Sequence, residues 1–156
     1  MAGALYEITT PSPVVPVTTV ARCVIGARAH ANSSIYLSSY EVSFDGVTAS
    51  AVPVTVDICR VTFATNPPGT ASTLVTPDLR SGRSTATGWT AAFNWTTEPT
   101  VVTPFRTFTL TPNGGAMFYD FPLQLEPDTA LNEGFAIRCT SISTPNIRAA
   151  MVLGRC

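Results

Sequence analysis

Trp89-Thr90-Ala91-Ala92-Phe93-Asn94-Trp95-Thr96 is the stretch whose reading decides the fold. Trp89, Ala91, Phe93 and Trp95 share one parity, while Thr90, Ala92, Asn94 and Thr96 share the other. Successive side chains of a strand point to opposite faces, so this alternation predicts a strand with one buried face. Trp89 and Phe93 are core candidates on that basis.

The same period of two recurs on both sides. Between Ile35 and Phe44 it places Tyr36, Tyr40, Val42 and Phe44 on one face, and Asp45-Gly46 then signals a turn. From Val52 to Phe63, Val54, Val56 and Ile58 read as inward. Val61 and Phe63 have the opposite parity, which predicts a bulge near Cys59-Arg60. Asn66-Pro67-Pro68-Gly69-Thr70 is a strong turn signal, and the chain stays polar and irregular through Gly82-Arg83-Ser84-Thr85. A strand from Phe105 to Thr111 closes at Pro112-Asn113-Gly114-Gly115, a hairpin signal. Tyr119, Phe121, Leu123 and Leu125 alternate with polar residues and with Pro122, which marks an edge or a bulge. Phe135, Ile137 and Cys139 alternate in turn, and Ile147 to Leu153 forms the last strand. Tyr119, Phe121 and Phe135 complete the predicted core.

Helical spacing is almost absent. About eight strands at even intervals predict an all-β domain, a jelly-roll-like antiparallel β-sandwich. Thr9-Thr10-Pro11-Ser12-Pro13-Val14-Val15-Pro16 breaks the pattern and favours an extended, polyproline-like backbone. Residues 1–16 therefore read as a Pro-rich N-terminal arm and residues 17–156 as the sandwich. Tyr6, Pro11, Pro13, Val14, Val15 and Pro16 are the candidate assembly contacts. Little alternation in the arm predicts that deleting Met1 to Pro16 leaves the domain folded and weakens assembly.

With 156 residues, the chain has the length of one ordinary domain. Only 12% of residues are charged against 45% hydrophobic, and Thr and Ser supply the remaining polarity. A net charge of -1 provides no basic field for a phosphate backbone, so no nucleic-acid partner is expected. All nine basic residues are Arg, and Lys is absent. Exposed sheet edges are often protected by Lys, so this composition fits edges hidden in a closed fold or against partners. The coding bias of a GC-rich genome accounts for it more simply, and is the preferred reading, since charge composition speaks to solubility and partners more than to fold. No secretory signal opens the chain, and no apolar run approaches membrane-spanning length. The expectation is a soluble protein made in the cytoplasm.

Chemistry is sparse. Cys23, Cys59, Cys139 and Cys156 form no C-x-x-C pair, and His30 is the one His. A zinc site needs more ligands of this kind, so no metal or cofactor is expected and the first three Cys read as buried, reduced thiols. A Ser or Cys nucleophile would need His30 as its base, but no Gly-x-Ser-x-Gly elbow surrounds any Ser. Glu41, Asp45, Asp57, Asp120 and Glu133 are the acids from which a glycosidase pair would be drawn. Asn32-Ser33-Ser34 and Asn94-Trp95-Thr96 match the glycosylation pattern, as expected by chance in a Ser/Thr-rich chain. Trp89 and Trp95 would be the aromatic faces of a sugar-binding platform, although their parity with Phe93 favours core.

In its order of segments the chain resembles small structural proteins of tailed bacteriophages. The resemblance runs through Val54-Thr55-Val56-Asp57-Ile58-Cys59-Arg60, the Asn66-to-Thr70 loop and Thr76-Pro77-Asp78-Leu79-Arg80. It continues through a Trp/Phe strand and a Phe-Arg strand to Gly134-Phe135-Ala136-Ile137-Arg138. Cys139 and Cys156 depart from that pattern. The resemblance implies a minor capsid or head-decoration protein without catalytic residues, located in the virion. Its implied partners are the major capsid protein and copies of itself, as a trimer rather than a pentamer. A tail-fibre or receptor-binding module that recognises carbohydrate is the alternative. A β-sandwich hydrolase ranks behind both.

Overall fold

β-Branched and aromatic residues at every second position build the strands, and Pro, Gly and Asn turns separate them. The computed structural model describes residues 4–45, 50–79 and 87–156. Gly46, Arg80 and the Gly82-to-Thr85 stretch lie outside the described residues. Eleven strands occur among those described, rather than about eight. They are β1 (Leu5–Thr9), β2 (Arg22–Arg28), β3 (Ile35–Phe44), β4 (Val54–Thr62), β5 (Thr73–Val75) and β6 (Asp78–Leu79). The remaining five are β7 (Thr90–Phe93), β8 (Val101–Leu110), β9 (Ala116–Asp120), β10 (Glu133–Thr140) and β11 (Ile147–Arg155).

Two antiparallel sheets face each other, ordered β6-β1-β11-β3-β9 and β5-β7-β2-β10-β4-β8. Without β5, β6 and β7, the orders are β1-β11-β3-β9 and β2-β10-β4-β8. Along the chain those eight strands pass back and forth between the sheets in the double Greek-key winding of a jelly roll. The three extra strands all come from the long β4–β8 connection. They lengthen each sheet beyond β1 and β2 and leave β8 and β9 as the opposite edges.

The inter-sheet core contains Ile8, Leu37, Tyr40, Ile58, Phe93, Phe135, Ile137, Met151 and Leu153, all buried. Tyr119 and Phe121 are only half-buried against it. Tyr40 stacks on Tyr119 at 5.6 Å and on Phe108 at 6.1 Å, which fills the gap between the sheets near β8 and β9.

Several sequence expectations change in the fold, each for a local reason. Tyr36 does not share the inward face of Tyr40 and Val42. Ser38 is an extra residue in the β3–β11 ladder, between Leu37↔Leu153 and Ser39↔Val152, and this bulge reverses the parity. Ile35 and Leu37 point inward before it. Strand β4 needs no change of phase at all. Val54, Val56 and Ile58 face the inter-sheet core, while Cys59, Val61 and Phe63 belong to a second cluster on the outer face of the same sheet. The register shift near Cys59 is real, but the extra residue is Phe105 on β8. Asn94 adopts φ +55°, the left-handed region that Asn tolerates better than most residues. That turn ends β7 and carries Trp95 out of the Trp89 face into the second cluster. The run from Tyr119 likewise stops at Pro122, where Leu125 N–H bonds to the Pro122 carbonyl at 2.9 Å. Leu123 and Leu125 consequently stand 87% and 70% exposed in a loop.

The largest departure is the proposed arm. Leu5 to Thr9 is β1, paired with β11 on one side and β6 on the other. Val14 exchanges backbone hydrogen bonds with Ile147 at 2.8 and 2.9 Å. Tyr6, Ile8 and Val14 are all buried, so the segment is built into the sandwich rather than extending from it as a tether. The Pro residues misdirected the reading, because they lie after β1 and before β2, where they turn the chain from one sheet to the other.

Candidate functional site

Of the proposed assembly contacts, Tyr6 meets Trp89 edge-on at 5.8 Å inside the core. Val14 and Pro16 are buried, Pro13 is half-buried, and Pro11 and Val15 are exposed. The six residues therefore do not form one surface. Trp89 and Trp95 are both buried, so neither offers a ring face to a sugar.

The acids do not gather either. Glu41 lies on the outer face of the β1-containing sheet, Asp120 at the end of β9 and Glu133 at the start of β10. Asp45 accepts a hydrogen bond from Asn146 at 2.9 Å. Asp57 is buried and bonded to Arg138 at 2.8 Å and to the Thr107 hydroxyl at 2.7 Å. Glu7, Thr10, Glu41, Ser43 and Arg148 rim an open groove of about 300 Å³ on that outer face. Glu7 pairs with Val152 and Glu41 with Ala150, so β11 separates the two acids. The His30 Nδ1 accepts the Asn32 N–H at 3.2 Å, which ties the ring to its own turn. Among the described residues no group of three or more His, Cys, Asp or Glu is placed to hold a metal ion. No helix among the described residues is long and apolar enough to cross a membrane.

The densest polar cluster is one that sequence reading missed. On the outer face of the β2-containing sheet, Ala92, Gly26, Ala136 and Cys59 stand side by side across four strands. These small side chains make a shallow floor on which Trp95 and Phe63 lie, with ring centres 6.3 Å apart. The Trp95 indole N–H donates to the Asn66 carbonyl at 3.0 Å, and the Asn66 amide donates to the Glu98 carbonyl at 2.8 Å. A bulge at Val24 turns Cys23 onto the same face, opposite Arg138. There its backbone N–H and thiol donate to the two carboxylate oxygens of Glu98, at 2.6 and 3.0 Å. Burial, reinforced by the negative charge of Glu98, pushes the Cys23 thiol well above its ordinary range. Burial pushes Cys59 up to about 12 and raises Cys139 further. A thiolate is the reactive form of Cys, so these groups are inert near neutral pH. The cluster works as a latch that holds the β7–β8 connection against the sheet.

The exposed apolar side chains are more informative. Val101 and Phe105 are exposed along β8, Phe118 is exposed on β9, and Leu123, Leu125 and Leu131 are exposed on the segment joining β9 to β10. Arg60 lies over the Phe105 ring at 5.3 Å, and its Nε donates to the Asp128 carbonyl at 3.1 Å. That contact brings the β9–β10 segment and the middle of β8 to one end of the sandwich. No spacing rule could have separated Leu123 and Leu125 from core Leu residues, because their exposure follows from the turn at Pro122. Comparison with known proteins finds no match for this chain among family models, curated proteins or solved structures.

Proposed function

We propose that the protein is a virion structural component, a minor capsid or decoration protein that binds and stabilises a phage head shell. The observation that carries this reading is the apolar end of the sandwich, where Leu123, Leu125 and Leu131 stand 87%, 70% and 50% exposed. Exposed apolar side chains concentrated on one segment fit an interaction surface, and a shell component needs such a surface rather than a reactive cleft. The jelly-roll winding and the resemblance to phage structural proteins support the same reading, although fold alone never supplies function. Its partners are the major capsid protein and further copies of itself, which gain avidity through repeated weak contacts on a lattice. Burial of Trp89 and Trp95 weighs against the carbohydrate-binding alternative, which drew on those rings.

Mass spectrometry of purified particles from the encoding phage tests the proposal. The chain is expected in fixed ratio to the major capsid protein, and Leu123→Asp with Leu125→Asp should abolish its incorporation without unfolding it. A chain absent from particles, or a doubly substituted chain that incorporates normally, overturns the reading.

A further inference from the structure

The four sheet edges are very unequal. β6 has two residues, β5 three, β9 five and β8 ten. An edge strand presents unpaired N–H and C=O groups, and very short edges are one way in which proteins blunt that template. β8 is long, and among the described residues it pairs with β4 alone. None of its ten residues is buried, whereas its neighbour β4 is mostly buried.

Pro104 and the bulge at Phe105 protect the N-terminal half of this edge, but Lys, the commonest guard, is missing from all of it. No Lys occurs in the chain, and the one charged residue of β8, Arg106, has its guanidinium 3.8 Å from the centre of the Tyr119 ring. Pro104 and the extra residue Phe105 interrupt the N-terminal half of the strand. The regular half is therefore Arg106 to Leu110.

That half is self-complementary. Placed antiparallel to itself about Phe108, it sets Phe108 against Phe108, Thr107 against Thr109, and Arg106 against Leu110. Aromatic–aromatic and Thr–Thr pairs are favourable cross-strand neighbours, and no like charges stand opposite each other. Phe108 already stacks on Tyr40, so the pairing continues the aromatic layer between the sheets into a second molecule.

We propose that a second copy of this chain docks on the free edge of β8, pairing Arg106–Leu110 of each protomer antiparallel about a two-fold axis. The two six-stranded sheets then form one continuous sheet. The proposal rests on the assembly reading for its setting and names one partner within it. Its test reads solution mass, which particle composition does not.

Light scattering on the purified full chain over a range of concentrations gives that mass. The expected mass is an even multiple of 16.5 kDa, the mass of one chain. Thr109→Lys places the missing edge Lys on an exposed position of β8 and should weaken association at least about tenfold. The circular dichroism spectrum of the variant should match that of the parent, which separates lost pairing from lost folding. If Thr109→Lys does not fold, Thr109→Glu replaces it with the same expected loss. A chain that stays at 16.5 kDa at every concentration overturns the proposal. So does a trimer or pentamer, since two-fold pairing yields even numbers, and so does a folded Thr109→Lys chain that associates normally.

Discussion

Replacing Ile8 with Ala separates an arm from a core strand. Ile8 is fully buried, directly opposite Met151 on β11, and Met151 is in turn opposite Tyr40 on β3. All three point into the inter-sheet core. The substitution removes three carbons, and at ~0.8 kcal/mol per buried methylene the transfer loss is about 2.4 kcal/mol. Rigid neighbours in the adjacent strands cannot fully close the space, so a cavity cost adds to this and brings the total to about 3–4 kcal/mol. That is a large share of the roughly 5–15 kcal/mol that holds a domain folded.

Urea unfolding followed by circular dichroism is the assay. With a slope of about 2 kcal/mol per molar, the midpoint should fall by about 1.5–2 M. Val15→Ala, at a position 50% exposed six residues before Ala21, is the control and should change stability by less than about 0.5 kcal/mol. Deleting residues 1–16 removes β1 and the Val14 bridge, so it should unfold the chain rather than merely weaken assembly. If Ile8→Ala behaves like Val15→Ala, the segment is a free arm and the assignment of β1 to the core is refuted.

Three further outcomes follow from the polar groups. A thiol reagent under native conditions should titrate Cys156 alone, and all four Cys after denaturation, because Cys23, Cys59 and Cys139 are buried. Fast native labelling of a second thiol would show that the latch on the outer face opens. Cys23, Cys59 and Cys139 hold their protons above the ordinary value of 9.0 in the folded state, chiefly through burial, so the unfolded chain loses protons first as pH rises. Stability should therefore be flat below about pH 8.5 and fall above pH 9, steepening towards ~4 kcal/mol per pH unit for three thiols, as read from urea midpoints. A flat profile from pH 8.5 to 10 would contradict this. Arg138→Ala leaves the buried Asp57 carboxylate with Thr107 as its remaining partner and should cost ~3 kcal/mol. A calorimetric loss below 1 kcal/mol would mean that water reaches Asp57 freely.

Alternation located most strands, because a half-buried strand must repeat every two residues. It failed where both faces of a strand are covered. Cys59, Val61 and Phe63 look like a phase error only if the outer face is assumed to be wet, and nothing local announces that Trp95 and Glu98 fold back over it. Asn94 carried a usable signal, since Asn readily takes the left-handed turn that ends β7, and Pro122 carried another. The pair Ser38-Ser39 carried none, because a bulge depends on the register of a partner strand more than a hundred residues away. The apolar end was equally hidden, as Leu123 and Leu125 differ from core Leu only in the loop that presents them. Leu5 to Thr9 was hidden because Pro marks the segment that follows it, while the alternation of Tyr6 and Ile8 spans too few positions to stand out.

The β4–β8 connection supplies the last step. It contributes β5 and β7 beside β2, β6 beside β1, and the 94–100 segment over the outer face of the β2-containing sheet. One side of the sandwich is thereby extended by short strands and one face is covered, while among the described residues no strand of this connection joins the β8–β9 side. The regular half of β8, Arg106 to Leu110, carries no Lys and is a liability for a molecule that works alone. The same edge is an asset for one that works in an assembly, since its ladder groups are satisfied by a partner. The uneven length of the edges on the two sides is thus the feature of this sandwich that the proposed pairing on β8 would use.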